Sequence, residues 1–132
     1  MKSYLIYSLL FFNAIVTMSC KSTKTVFDPE TSDKEMIIFG TGGGFTGKVI
    51  KYIITTDGNM YSYNGTETSK IAKAPKAMTD QVFANYKTLG FSQMTLNDPG
   101  NKYSFIEYQK SGDKNKVVWG KNPIENKNVE TY

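Results

Sequence analysis

The chain of 132 residues contains no histidine, no arginine and a single cysteine. Without histidine it lacks the most common general base, the partner of serine and cysteine nucleophiles, and the most common zinc ligand. Without arginine it lacks the side chain that best recognises phosphates and base edges. With one cysteine it forms no internal disulfide, so packing alone has to stabilise the fold.

The positive charge is small and dispersed. Sixteen basic residues, all lysine, oppose twelve acidic ones, which gives a formal net charge of +4. A charge of this size without a basic block produces no strong steering field. We therefore expect no nucleic-acid partner.

The N-terminus has the order of a secretory signal. Met1-Lys2-Ser3 precedes an apolar run from Tyr4 to Val16, and the small and polar residues "TMSCKSTK" follow. The run has about a dozen residues, fewer than the ~20 that a transmembrane helix needs. We expect the mature protein to lie outside the cytoplasm.

Cys20 stands where this signal would be cleaved. The stretch "TMSC", Thr17 to Cys20, resembles the lipobox of bacterial lipoproteins, in which the cysteine becomes the lipidated first residue. The resemblance implies a signal peptide over residues 1–19 and a lipid anchor on Cys20 in the cell membrane or outer membrane. The alternative is an ordinary signal peptide that leaves a free thiol, which is a liability in an oxidising compartment.

The remaining chain divides into a tether and one domain. Residues 20–35 are polar apart from Val26-Phe27, and they predict a flexible connection to the membrane. Residues 36–132 have the length of a single domain. We expect the core to lie entirely within this second part.

The pattern of the domain predicts an α+β fold: a mostly antiparallel sheet of about five strands with one central helix packed on it. Runs rich in β-branched and aromatic residues predict the strands. These runs are residues 35–40, 47–58, 60–63, 102–110 and 116–120. Thr79 as N-cap, an apolar face with Tyr86 and Leu89, and Gly90 as terminator predict the helix. Residues 66–78, with Pro75 and several lysines, predict a loop.

The stretch "FGTGGGFTGK", residues 39–48, approaches two nucleotide-binding motifs. Gly42, Gly44 and Gly47 have the spacing of a dinucleotide fingerprint, and Gly42 to Lys48 is one residue short of a phosphate-binding loop. Both motifs need a helix directly after the loop, because the helix N-terminus holds the phosphates. Here a strand pattern follows, so we expect neither a nucleotide nor any other cofactor.

Two explanations of these glycines are open. In the first they form a bend or bulge between two strands, where positive φ angles are needed. In the second they form a contact loop that presents Phe45 to another protein. The two explanations differ in whether Phe45 is buried or exposed.

A family resemblance bears on the second explanation. The motif "GGFTG" closes a first strand, a central helix ends near Phe91, and "DPGNKYSFIEYQ" and "KVVWG" follow. This layout resembles the protealin or emfourin family of small bacterial inhibitors of thermolysin-like metallopeptidases. The resemblance implies that the contact loop consists of Gly43, Gly44, Phe45, Thr46 and Gly47.

We expect no catalytic residues and no metal site. Asp57, Asp98 and Asp113 lie in turn signals, where aspartate is favoured for local reasons. Glu107 is the exception, because it lies mid-strand on the face of Tyr103 and Phe105. It is either a half-buried functional acid or, more commonly for such a residue, an edge or solvent-facing one.

The sequence therefore predicts a lipid-anchored extracytoplasmic domain with a non-catalytic binding or structural role. Its partner is an envelope component or, as the alternative, a thermolysin-like metallopeptidase that the Gly43 to Gly47 loop inhibits. An enzyme is the third and weakest hypothesis.

Overall fold

The computed structural model describes residues 26–120, which form a seven-stranded mixed sheet and one α-helix. The α+β class is confirmed. The strands are β1 Met36–Gly43, β2 Ile50–Thr55, β3 Asn59–Tyr63, β4 Thr68–Lys73, β5 Asn97–Asp98, β6 Lys102–Lys110 and β7 Asp113–Trp119. The helix α1, Lys76–Thr88, is followed by a 3₁₀ turn, Phe91–Gln93. The predicted signal peptide, Cys20 and the last twelve residues lie outside the described part.

The spatial order of the strands is β4-β3-β2-β1-β6-β7-β5. The first strand is central and runs antiparallel to both β2 and β6. Within the described residues, β5 and β7 form the one parallel pair. Consecutive hairpins therefore build the half from β1 to β4, the β6–β7 hairpin with β5 builds the other half, and β1 joins the two.

We predicted a mostly antiparallel sheet of about five strands, and this detail is wrong, because the sheet has seven strands and is mixed. The strand β4 lies within residues 66–78, where we predicted a loop, and β5 consists of only two residues within a turn-rich stretch. As an edge strand, β4 is largely exposed and carries Lys70 and Lys73, so it lacks the apolar alternation by which strands are recognised.

The helix was predicted correctly in its apolar face and its end but not in its start. Tyr86 is buried, and Gly90 adopts a left-handed φ of 77° just after the helix. The predicted N-cap Thr79 instead lies inside the helix, where its hydroxyl donates a hydrogen bond to the Pro75 carbonyl (3.2 Å). Pro75 occupies the N-cap, so the helix starts four residues earlier than its threonine suggested.

Both faces of the sheet bury apolar side chains. On the helix face, α1 and the 3₁₀ turn cover a cluster that includes Ile37, Ile54 and Ile106. On the opposite face, here called the far face, a second cluster forms around Ile38, Ile53 and Phe105. The period-two alternation of the central strands sends neighbouring residues into these two separate cores.

The segment of residues 26–35 covers part of the far face. Phe27 stacks on Tyr61 with ring centroids 4.1 Å apart, and the Gln109 amide donates a hydrogen bond to the Pro29 carbonyl (2.8 Å). We predicted this segment to be part of a flexible tether. From Val26 onward it instead contacts the sheet, because Phe27 packs on the far-face cluster, which no helix covers.

Candidate functional site

The glycine-rich stretch connects β1 to β2 at one end of the central hairpin. Pairing between these strands ends at Thr41 and Ile50, whereas β1 continues along β6 as far as Gly43, opposite Lys102. Residues 44–49 therefore project beyond the β1–β2 ladder as a short loop, here called the glycine loop together with Gly43. Pairing with β6 therefore fixes the start of this loop.

The glycine loop folds as a tight turn. The Gly44 N–H donates to the Asn101 carbonyl (2.6 Å), and the Gly47 N–H donates to the Gly44 carbonyl (3.1 Å). Gly43, Gly44 and Gly47 have φ angles of 88°, 74° and 61°, in the left-handed region that disfavours other residues. A Cβ on Gly43 would also collide with the Asn101 carbonyl oxygen. The first glycines are thus required by the fold itself.

Phe45 stands at the tip of this turn with a relative exposure of 108%. It is far more exposed than the other apolar side chains of the same hairpin, since Ile50 and Tyr52 are 40% exposed. A loop with a purely structural role would be expected to bury its aromatic residue. The structure brings Gly43 to Gly47 together in one turn and leaves its one aromatic side chain in solvent.

An open basin of about 470 Å³ lies beside the glycine loop. Thr41, Ser104 and Trp119 line it from three neighbouring strands, and Lys48 and Lys102 border it. Among residues 26–120, no acidic residue lines the basin. Its two ammonium groups and its hydroxyls are therefore suited to an acidic group brought by a partner that contacts Phe45.

Trp119 packs against the helix-face core and also reaches the basin. It is half-buried and lies against Phe91, with ring centroids 6.3 Å apart. Its other part lines the basin. No local sequence pattern predicts that second position, because it follows from the register between β6 and β7, which places Trp119 opposite Ser104.

Of the aspartates predicted in turns, Asp57 serves local structure, as expected, whereas Asp98 and Asp113 lie at the end of β5 and the start of β7. Asp57 accepts hydrogen bonds from the Lys34 ammonium (2.7 Å), the Thr55 hydroxyl (2.5 Å) and the Asn59 backbone (3.3 Å). These bonds, first that from Lys34, hold the pKa of Asp57 well below its usual range. Such a carboxylate is a poor proton acceptor near neutral pH.

Glu107 does not have the edge or solvent-facing position that is more common for such a residue. It belongs to β6, a central strand between β1 and β7, and its side chain is only 15% exposed on the far face. It does share this face with Tyr103 and Phe105, as the alternation predicted. Within residues 26–120, no group of three or more histidine, cysteine, aspartate or glutamate side chains is arranged to hold a metal ion.

The strand that follows the glycine loop is confirmed, since β2 begins at Ile50. The helix N-terminus that a phosphate-binding loop requires is therefore missing directly after this loop. No helix among the described residues is long and apolar enough to cross a membrane.

No protein-family model matches this chain, and no curated protein matches it significantly. The resemblance to the protealin or emfourin family stays a prediction. It depends on the glycine motif and on the order of the elements.

Proposed function

We propose that this is a lipid-anchored extracytoplasmic protein that acts by binding, without catalysis, and that the glycine loop is its protein-binding element. The observation that supports this proposal best is the full exposure of Phe45 on a turn whose backbone the sheet holds in place. Exposed aromatic side chains on rigid backbone lose little entropy on binding and dominate many interfaces.

A specific partner class is favoured by the same observation. In the inhibitor hypothesis Phe45 enters an apolar pocket of a thermolysin-like metallopeptidase, and this requires an exposed side chain. The alternative, a loop that only joins two strands, requires no exposed aromatic. The exposure of Phe45 thus favours the inhibitor over a purely structural lipoprotein, and envelope proteins remain the second partner class.

The test is a titration of a thermolysin-like metallopeptidase with the chain from residue 20 onward, carrying Cys20→Ser so that no lipid is attached. We expect stoichiometric inhibition. The Phe45→Ala variant should inhibit about thirtyfold less tightly or worse, which is the usual loss at an interface hot spot. Its fold should be intact, because a fully exposed side chain contributes little to stability.

A matched control is available in Ile71→Ala. Ile71 is apolar and 50% exposed, but it lies on the edge strand β4, three strands away from β1. The Ile71→Ala variant should inhibit the peptidase as tightly as the parent chain does. Equal inhibition by all three chains would reject the glycine loop as the contact element, and no inhibition by a folded parent would reject the peptidase as partner.

The anchor is tested separately in the full-length chain. Cys20→Ser should abolish incorporation of a labelled fatty acid and release the protein from the membrane fraction. Unchanged membrane association and processing of this variant would reject lipidation at Cys20.

A further inference from the structure

A cavity of about 280 Å³ lies on the far face, between the sheet and the segment of residues 26–35. Its floor consists of Ile53, Ile38 and Glu107, which are direct neighbours across β2, β1 and β6. Phe27 and Pro29 line it from the N-terminal segment. The cavity is thus apolar on two sides and has one carboxylate in its floor.

The Glu107 carboxylate has few partners for its degree of burial. Its ion pair with Lys116 spans 3.8 Å, and the Lys116 ammonium lies 4.5 Å from the centroid of the Phe105 ring. No group among the described residues donates a hydrogen bond to this carboxylate. The carboxylate keeps 15% exposure and so is solvated only in part, and a ligand that donates a charge-assisted hydrogen bond to it would bind favourably here.

The net charge around the cavity is negative, whereas the net charge of the chain is positive. Four carboxylates line the cavity, those of Asp28, Glu30, Glu67 and Glu107. Lys51 is the one ammonium among the lining residues, and Lys114 and Lys116 pair with Glu30 and Glu107 from beside the cavity. The chain as a whole carries a net charge of +4. The four carboxylates outnumber these three ammonium groups by one, so the cavity favours a cation although the molecule has a positive net charge.

The apolar walls decide which kind of cation fits. A metal ion prefers several oxygen ligands and usually retains water, and a single floor carboxylate among isoleucines does not supply that environment. An ammonium group on an apolar body matches both features, because the charge can meet Glu107 while the body contacts Ile38 and Ile53. The volume lies at the lower end for ligand sites, so the ligand is small.

We propose that the far-face cavity is a binding site for a small organic cation, whose ammonium group pairs with the Glu107 carboxylate and whose apolar body lies between the sheet and Phe27. This site is separate from the glycine loop and does not depend on the function proposed for it. A ligand there would also contact the N-terminal segment and so stabilise its attachment to the sheet.

The test uses the full-length protein labelled with ¹⁵N and two probes of similar shape, cyclohexylammonium and neutral cyclohexanol. We expect saturable amide shifts at Ile38, Ile53 and Glu107 with the cation, and an affinity about tenfold or more above that of the alcohol. Glu107→Gln removes the charge with little change in shape and should abolish this preference. Asp80→Asn, which removes an exposed carboxylate on α1, should leave it unchanged.

Three results would overturn the proposal. They are the absence of saturable shifts at the cavity, equal affinity of the wild-type protein for the two probes, and an undiminished preference in Glu107→Gln. The comparison of the two probes on the wild-type protein decides the matter even if the Glu107 variant does not fold.

Discussion

The phenylalanines Phe91, Phe105 and Phe45 differ sharply in solvent exposure. Phe91 and Phe105 are buried in the two cores, whereas Phe45 is fully exposed. Burying a phenylalanine side chain typically stabilises a protein by about 1.5–3 kcal/mol. Phe45 contributes nothing of this kind, so its presence on the turn is not explained by the stability of the fold. The conformation of the turn is set instead by the glycines beside it.

Gly43 and Gly47 allow a matched comparison of fold and loop. Both have positive φ angles, so alanine at either position should lower the free energy of unfolding by about 1–2 kcal/mol. At Gly43 the new Cβ would also collide with the Asn101 carbonyl, whereas at Gly47 it would meet nothing within 4 Å. We expect Gly43→Ala to be the more destabilising, by about 1 kcal/mol or more in urea denaturation. Equal losses would mean that the β1–β6 contact does not constrain Gly43.

At the scale of elements, the question is whether the N-terminal segment, residues 26–35, belongs to the folded domain. Phe27 is half-buried and stacks on Tyr61 with an interplanar angle of 15°. Phe27→Ala should lower the free energy of unfolding by about 1–3 kcal/mol, because it removes the stacked pair and uncovers part of the far-face core. Val26→Ala, at an apolar neighbour that is 66% exposed, is the matched control and should have little effect. An equally small effect of Phe27→Ala in urea denaturation would show that the segment is a tether after all.

The same segment shows what the sequence could and could not predict about the elements. The strands β2, β6 and β7 contain consecutive β-branched and aromatic residues that enter the two cores in turn, and their prediction is confirmed. Residues 26–35 bury only a few side chains against a surface made by distant strands, so no local pattern marks their attachment. The edge strand β4 was missed for a related reason, since its pairing is satisfied by backbone groups and not by buried side chains.

The candidate site divides in the same way. The glycine loop was predictable, because glycines between two strand patterns indicate a special turn wherever they lie. The basin beside it depends on Thr41, Ser104 and Trp119 being adjacent, and this follows from the register of three strands that are far apart in sequence. Glu107 was recognised as unusual from its strand alone. Its position on a cavity floor was not predictable, because the N-terminal segment that covers it was taken for a tether.

For the whole molecule, the sheet is covered by α1 on one face and by the N-terminal segment on the other, and the two coverings are held differently. Apolar contacts hold the helix. The segment has fewer apolar contacts and several ionic ones, including Glu30 with Lys114 (2.8 Å) and Lys34 with Asp57 (2.7 Å). The stability of the far face should therefore depend more on pH than that of the helix face.

The carboxylates of this attachment have pKa values that differ from their ordinary ones. A hydrogen bond from Lys114 lowers the pKa of Glu30. Burial opposes the same change in Glu35, but hydrogen bonds from Tyr108 and Lys110 lower its pKa as well. The hydrogen bond from Lys34 is the first cause of the lowered pKa of Asp57. The bonds of Glu30 and Asp57 join residues 26–35 to the sheet and to the turn after β2, whereas the bond of Glu35 to Tyr108 lies on the helix face.

These directions fix the sign of the response to acid. A carboxylate whose pKa is lowered in the folded state binds fewer protons there than in the unfolded chain. Its contribution to the free energy of unfolding is therefore present above the ordinary pKa values, which are 3.8 for aspartate and 4.5 for glutamate. That contribution is lost as the pH falls through the lowered pKa. We expect the free energy of unfolding, measured in urea, to fall between pH 6 and pH 3. The fall should be smaller in Asp57→Asn, which has no carboxylate to protonate at that position. If the variant lost as much stability as the wild-type protein over this range, the pairing of Asp57 with Lys34 would not contribute to holding the N-terminal segment on the sheet.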